Sequence, residues 1–231
     1  VPALDYSKGT NFYNAFKTCS SLTVVPELDL SSATRTDYMF AECKALTTVN
    51  GITTSTNLID TSSMFYDCEA LTKVPLFDTS SVTTMRYMFV DCKNLTEIPL
   101  FDTSSVTDMT AMFQYSSFEY LENSEDGIPV FNTSKVTSMK SMFNTCELLK
   151  EIDVSSWNTG KVLDMSFLFD GCIALESINV SEWNLISLEN ATNLFDGCSL
   201  LERIDVSNWN VSNISDMEAM FQNCIALKEL D

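Results

Sequence analysis

The sequence contains no histidine, and only six of its 231 residues are glycine. Without histidine it cannot form a Ser-His or Cys-His nucleophile, an imidazole base or a His-containing metal site. The few glycines form no glycine-rich phosphate-binding loop. Carboxylates are abundant but evenly spread, so no pair stands out for acid-base chemistry. We expect no enzymatic activity and no cofactor; a carboxylate-dependent glycosidase is the remaining enzyme hypothesis.

Basic residues are also scarce. Lysine and arginine number 13 against 32 aspartates and glutamates, which gives a net charge of -19. This balance excludes broad attraction to nucleic acid or to anionic lipid. No hydrophobic run approaches the length of a membrane-spanning helix, so we expect no direct membrane insertion by this segment. The chain begins at Val1 without a start methionine or signal peptide, so we expect it to be part of a longer protein.

One stretch, residues 82–100, shows the pattern that organises the chain. Its first half carries apolar residues at steps of three and four: Val82, Met85, Met88, Phe89 and Cys92. This spacing predicts a helix of about three turns. Leu95, Ile98 and Leu100 follow with the spacing LxxIxL, which predicts a short strand with Ile98 and Leu100 pointing inward. Elements this short need neighbouring copies to bury their apolar faces.

The copies are present along the whole sequence. A reference phenylalanine recurs at intervals of 24 to 30 residues, at Phe16, Phe40, Phe65, Phe89, Phe113, Phe143, Phe169, Phe195 and Phe221. Such a period is typical of a solenoid. We predict an α/β solenoid that resembles leucine-rich-repeat folds: a right-handed stack of about nine coils of 24–26 residues. A parallel sheet would lie on one side and short helices on the other.

We expect a single solenoid domain over residues 1–231, with two styles of coil. Coils of one style run to about residue 112, an insertion covers about 114–127, and longer coils fill 128–231. An aromatic residue followed by Asp or Asn recurs twelve residues before each later phenylalanine, as in Phe101-Asp102. The ring is expected to fill the corner after the strand, and the Asx side chain to bond freed backbone groups. The Thr and Ser residues that follow, such as Thr103, are expected to cap the helix.

All eight cysteines lie three residues after a reference phenylalanine: Cys19, Cys43, Cys68, Cys92, Cys146, Cys172, Cys198 and Cys224. Disulfides between neighbouring coils are one reading of this register. Buried reduced thiols are favoured, because the position lies on the apolar stripe. A zinc site is not expected, since no CxxC pair accompanies the missing histidines. The eleven methionines lie on the same stripes, which indicates core packing.

The outward strand positions are the first candidate binding site. They form a mixed, net acidic face with rows about 4.8 Å apart. The candidate ligand-binding residues are Lys73, Glu97, Lys150, Glu151, Asp153, Glu176, Asn179, Glu202, Arg203 and Asp205. A merely solvated surface is the alternative for any one of them.

The insertion is the second candidate site. Tyr115, Phe118 and Tyr120 bring aromatic side chains beside acidic residues, and long loops on rigid scaffolds often carry function. The alternative is that these rings pack onto the core where the two coil styles meet. The acidic segment 122–127 lacks the ligand spacing of a known calcium loop, so no metal site is assigned to it.

The unit LxxIxVSxWNxSxVxxMxxMFxxCxxL, seen across residues 201–227, resembles the BspA-like leucine-rich repeat. That repeat occurs in surface proteins of gut and oral bacteria, in mycoplasma lipoproteins and in some parasitic protists. The resemblance implies a leucine-rich-repeat solenoid that is displayed at the cell surface or secreted. It implies a non-enzymatic adhesion or protein-interaction module, whose partner would be a host or bacterial surface protein or a glycan. The alternative is a structural spacer or stalk that presents another domain of a larger surface or phage protein.

Overall fold

The repeats stack on one another through a column of phenylalanine rings. The structure, a computed structural model, describes residues 5–121 and 131–230. Neighbouring reference rings have centroids 5.3 to 5.7 Å apart and planes within 16° of parallel. The rings from Phe40 to Phe195 are fully buried. Each repeat is therefore one coil of a repeat solenoid, with this column in its core.

Turns replace the helices that the spacing predicts. The part of the chain that the structure describes contains no helix, so the helix predicted over residues 82–92 is wrong. Three overlapping β-turns occupy the stretch. They are closed by amide-to-carbonyl hydrogen bonds of 3.2 to 3.4 Å: Met88 to Met85, Val90 to Tyr87 and Cys92 to Phe89. Each bond joins residues three apart, whereas an α-helix joins residues four apart.

The turns depend on residues with positive φ angles. The residues two before and two after each reference phenylalanine have φ between 52° and 73°. In coil four these residues are Tyr87 and Asp91, with φ of 57° and 61°. A positive φ at the third residue is the pattern of a type II turn. The left-handed conformation costs roughly 1–2 kcal/mol for a residue with a side chain, so other interactions must offset it.

Hydrogen bonds between coils provide that stabilisation. In coil four, three alternate amides donate to carbonyls of coil five at 2.9 Å: Tyr87 to Thr110, Phe89 to Met112 and Asp91 to Gln114. Equivalent bonds join each coil to the next, from the first to the ninth. An amide that donates to the neighbouring coil is not available to the carbonyl four residues back. The stacking of coils therefore competes with helix formation and prevails.

Parallel β pairing joins the coils on two sides. On one side, a ladder of isolated parallel bridges takes one residue from each of the nine coils, from Asn11 to Asp216. On the other side lie eight two-residue strands: β1 (Val24–Val25), β2 (Leu28–Asp29), β3 (Thr48–Val49), β4 (Ile52–Thr53), β5 (Tyr120–Leu121), β6 (Glu151–Ile152), β7 (Arg203–Ile204) and β8 (Glu229–Leu230). They form the parallel pairs β1-β3, β2-β4, β5-β6 and β7-β8. The sheet predicted with one strand per coil is thus interrupted within the described residues.

Proline accounts for part of this interruption. Pro75 and Pro99 follow the inward strand residue in coils three and four, and they have no N–H to donate to a ladder. The next residues, Leu76 and Leu100, are 63% and 43% exposed. The prediction that Leu100 points inward is therefore wrong. In the later coils, a non-proline residue precedes this position, and Val154 is fully buried there.

A second aromatic column fills the corner after the strand side. Neighbouring indoles of Trp157, Trp183 and Trp209 are 6.2 and 6.0 Å apart and nearly parallel. The Trp183 Nε1 donates to the Val154 carbonyl of the preceding coil at 3.4 Å, and the Trp209 Nε1 donates to the Val180 carbonyl at 3.1 Å. Buried tryptophan usually finds a partner for its N–H. The predicted corner position of the aromatic residues is therefore confirmed.

The Asx residue after each corner aromatic makes the turn contact that the sequence predicts. The Asp102 Oδ1 accepts a hydrogen bond from the Ser104 amide at 2.9 Å, and hydrogen bonding from Ser104 lowers the pKa of the Asp102 carboxyl. Thr103 does not cap a helix. It is buried, and its hydroxyl donates to the Asn132 carbonyl of the next coil at 3.1 Å. The threonine thus helps to join coils.

The cysteines form a ladder of thiols inside the stack. All eight are free, and those from Cys43 to Cys198 are buried, which confirms the predicted core position of these side chains. From Cys43 onward, each Sγ donates to the carbonyl of the preceding coil's reference phenylalanine, at 3.0 to 3.2 Å. Ser116 takes the cysteine position in coil five, and its Oγ makes the same bond to Phe89 at 3.2 Å. From coil two onward, a small hydrogen-bond donor, Cys or Ser, therefore occupies this position.

Candidate interaction surface

The candidate strand-face residues lie on one side of the stack, with side chains at the surface. Eight of them are exposed: Lys73, Glu97, Glu151, Glu176, Asn179, Glu202, Arg203 and Asp205. Lys150 and Asp153 are half-buried. In β6 and β7, Ile152 and Ile204 point into the core, whereas Glu151 and Arg203 point outward.

Ion pairs between coils engage three basic residues of the strand side: Lys150, Arg203 and Lys228. Lys150 Nζ lies 2.8 Å from Glu119 Oε2, and Lys228 Nζ lies 2.9 Å from Glu202 Oε1. Hydrogen bonding to Glu119 raises the pKa of Lys150. Glu151 and Glu176 have no ion pair with any described residue. The face therefore presents negative charge that its own lysines do not neutralise.

A groove lies where the strand pairing is interrupted between β6 and β7. It has a volume of about 370 Å³, and its polar lining consists of Glu151, Ser177, Asn179, Arg203 and Asp205. The floor is formed by isoleucines from three successive coils: Ile152, Ile178 and Ile204. Four candidate residues thus share one concave site. Ser177 also lines the groove; the sequence places it in the outward strand row beside Glu176, but it was not among the candidate ligand-binding residues.

Hydrogen bonds hold the side chains at the end of the groove. Asp205 Oδ1 accepts from the amide and the hydroxyl of Ser207 at 3.0 and 2.7 Å, and these bonds lower the pKa of Asp205. Asn179 Oδ1 accepts from the amide and the hydroxyl of Ser181 at 3.3 and 2.9 Å. These residues are therefore positioned before any partner arrives, which reduces the ordering cost of binding.

The coils before the insertion present a different face. A row of threonines occupies the strand positions of coils one to four: Thr23, Thr47, Thr72 and Thr96. The Thr47 and Thr72 hydroxyls donate to the carbonyl of the threonine in the preceding coil, at 2.9 and 3.4 Å. Lys73 and Glu97 lie on these coils and do not line the groove between β6 and β7. The candidate face therefore divides into a threonine part and a charged part.

The three aromatic residues assigned to the insertion have different environments. Phe118 is 2% exposed and packs edge-on against Phe113, with centroids 5.5 Å apart, so it belongs to the core. Tyr115 and Tyr120 are 45% and 53% exposed. Residues 122–130 lie outside the described part of the chain, and they include the whole acidic segment, residues 122–127, that was considered for calcium. Two of the three aromatic candidates are thus at the surface.

Negative charge is concentrated in the last three coils. Residues 162–231 contain twelve aspartates and glutamates but only two basic residues, Arg203 and Lys228.

Across residues 5–121 and 131–230, no group of three or more metal-ligating side chains converges. The same residues form no helix of the length and hydropathy that a bilayer span requires.

Two solved structures resemble this one. A leucine rich cell surface protein from Faecalibacterium prausnitzii is 19% identical, with a TM-score of 0.42 over 95% of this chain and 75% of its own. A leucine-rich repeat protein from Bacteroides ovatus is 16% identical, with a TM-score of 0.40 over 90% of this chain and 68% of its own. No curated protein matches the sequence.

One protein family matches nearly the whole chain. It is described as Mycoplasma protein of unknown function, DUF285, and it matches residues 1–75, 59–126 and 114–230. These matches include the repeat unit over residues 201–227 that resembles the BspA-like repeat of mycoplasma lipoproteins. The chain therefore belongs to the DUF285 family, with repeats of the BspA-like leucine-rich type.

Proposed function

We propose that this chain is a non-enzymatic interaction module, displayed at the cell surface or secreted, that binds another protein through its strand face. The observation that carries the proposal is the groove between β6 and β7. It combines an isoleucine floor with fixed polar groups and with the carboxylate of Glu151, which forms no ion pair with another described residue. Binding sites commonly combine apolar surface with a few positioned polar groups.

The stacked coils make the strand side suitable for binding. Each coil holds the next through a ladder of backbone hydrogen bonds, so the face is a stiff platform that needs little ordering on binding. Surface display is proposed from the resemblance to BspA-like proteins. The absence of histidine from the sequence supports a non-catalytic role, because the commonest acid-base side chain is missing.

Adhesion is the specific form of interaction that we propose. Its test is a binding screen of the full chain against immobilised extracellular-matrix proteins and glycans. The variant Glu151→Gln/Glu176→Gln removes two carboxylates from the strand face. The control Glu189→Gln/Glu218→Gln removes the same charge from exposed positions before the reference phenylalanines. Loss of binding to a matrix protein in the first variant alone supports the proposal.

Two outcomes of this screen contradict the proposal. If both variants bind every target equally, the strand face is not the binding surface. If the unmodified chain binds no target, the spacer hypothesis replaces adhesion. Binding only to glycans, with the same dependence on Glu151 and Glu176, would keep the surface but overturn the assignment of a protein partner.

A further inference from the structure

Coil five differs from all the others in the turn that follows its reference phenylalanine. In eight coils two residues separate the cysteine from the next core leucine, as between Cys92 and Leu95. In coil five only Ser117 separates Ser116 from the core residue Phe118. The turn of coil five is therefore one residue shorter than the turns of the coils on either side.

The shorter turn leaves a notch between coils four and six. Its volume is about 530 Å³, and its lining includes Asp91, Lys93, Tyr115, Glu147 and Leu148. Lys93 comes from the turn of coil four, and Glu147 and Leu148 come from the turn of coil six. Tyr115 belongs to coil five and is 45% exposed. The notch has room for a side chain from another molecule.

Tyr115 differs from the other exposed tyrosines in the described chain. Arg35 lies over the Tyr13 ring at 5.4 Å, and Lys150 lies over the Tyr120 ring at 5.5 Å. No described cation lies over the Tyr115 ring. Aromatic rings attract cations through the negative potential of their faces. The Tyr115 face is therefore a cation-binding surface that the described part of the chain leaves open.

The charges around the notch also favour a cation. Glu147 is exposed and makes no hydrogen bond or ion pair with a described residue. Lys93, the basic residue of the notch lining, is held by Asp91, with Nζ and Oδ1 3.1 Å apart. That hydrogen bond raises the pKa of Lys93, so the two charges balance each other. Glu147 remains as an unbalanced negative charge beside the open ring.

We infer that this notch binds an arginine side chain presented by a protein partner. The guanidinium stacks on Tyr115 and donates hydrogen bonds to the Glu147 carboxylate, while its methylene stem packs against Leu148, which is 49% exposed. Arginine fits better than lysine because its planar head both stacks on a ring and forms paired bonds to a carboxylate. The inference does not depend on the strand-face groove, since the two sites share no lining residue.

The test uses the full chain labelled with ¹⁵N and a short probe, Nα-acetyl-Gly-Arg-Gly-amide, at low salt. Its matched control is the same peptide with citrulline, which keeps the shape of arginine but has no charge. We expect the arginine peptide to shift the amide signals of Ser117, Glu147 and Leu148, and the citrulline peptide to bind about tenfold more weakly.

Substitutions in the notch test which side chains contact the arginine peptide. Tyr115→Leu and Glu147→Gln are each expected to lower the affinity for the arginine peptide by about three- to tenfold. Tyr115→Phe keeps the ring face, so it should retain the affinity. Glu189→Gln is the control for the loss of one exposed carboxylate. Equal shifts with both peptides, or unchanged binding in Tyr115→Leu and Glu147→Gln, would overturn the inference. Glu151→Gln/Glu176→Gln is expected to leave binding of the arginine peptide unchanged. The test of the notch therefore does not depend on whether the strand-face proposal holds.

Discussion

The phenylalanine column predicts how the cost of losing a ring depends on its place in the stack. Phe89 is fully buried, with Phe65 and Phe113 stacked on its two sides at 5.7 and 5.6 Å. Phe221 is half-buried, and its stacking neighbour is Phe195 at 5.7 Å. Truncating a buried phenylalanine to alanine costs about 3–5 kcal/mol, and each aromatic pair contributes roughly 0.5–1.5 kcal/mol beyond burial.

We therefore expect Phe89→Ala to lower the free energy of unfolding by about 4–5 kcal/mol. Phe221→Ala removes a ring that is less buried and has one stacking partner, so about 2 kcal/mol is expected for this matched control. The assay is urea unfolding followed by the fluorescence of the tryptophan column, with circular dichroism as a second probe to test for intermediates. Equal losses in the two variants, or a loss below about 1 kcal/mol for Phe89→Ala, would refute the stacked column.

Four further predictions concern the thiols and the turns. Cys146→Ser should keep the bond to the preceding coil, as Ser116 does, whereas Cys146→Val should lose about 0.5–1.5 kcal/mol more in urea unfolding; equal losses would show that the bond is unimportant. Burial raises the pKa of Cys146 from 9.0 to about 12, so the contribution of this one thiol to stability, measured as the difference between the unmodified chain and Cys146→Ser, should be constant below pH 9 and then fall by up to about 1.4 kcal/mol per pH unit as pH rises toward 12. Iodoacetamide at pH 8 should accordingly label the exposed Cys19 but not Cys146 until the chain unfolds, and native labelling of Cys146 would contradict the burial. Gly171→Ala, at φ of 73°, should lose about 1–2 kcal/mol by the same unfolding assay, while Gly160→Ala, where φ is not positive, should lose less.

The stacking of repeats could be predicted from the sequence because it depends on the period alone. A phenylalanine that recurs every 24 to 30 residues can be buried repeatedly only if the copies lie over one another. The buried thiols follow from the same register. The aromatic-Asx pair was also readable, because Asx side chains stabilise turns by a local mechanism that needs no tertiary information.

The helices could not be excluded by apolar spacing. Consecutive turns closed by bonds between residues three apart bury Met85, Met88 and Cys92 on one side, as a helix would. The decisive information is where alternate amides donate, which depends on the neighbouring coil. One local signal was available: glycine at 171 and 197, and aspartate or asparagine at equivalent positions, are the residues that best tolerate positive φ.

The sequence could predict which residues lie at the candidate sites, but it could not predict the cavities that these residues line. Period-two alternation placed Glu151 and Arg203 at the surface, but the groove between them depends on a break in strand pairing that no local pattern specifies. The sequence carries more information about the notch beside Tyr115. The one-residue shortening at Ser117 is visible in the sequence, and it removes surface that the turns of the neighbouring coils provide.

Scalar coupling across hydrogen bonds, measured by NMR in the folded chain, tests the central claim most directly. That claim is that alternate amides of each coil bond to the next coil through turns with positive φ. The account predicts a coupling between the Phe89 amide nitrogen and the carbonyl carbon of Met112, whose oxygen lies 2.9 Å from that nitrogen. A coupling to the carbonyl of Met85, four residues back in the same coil, would show a helix and contradict the account.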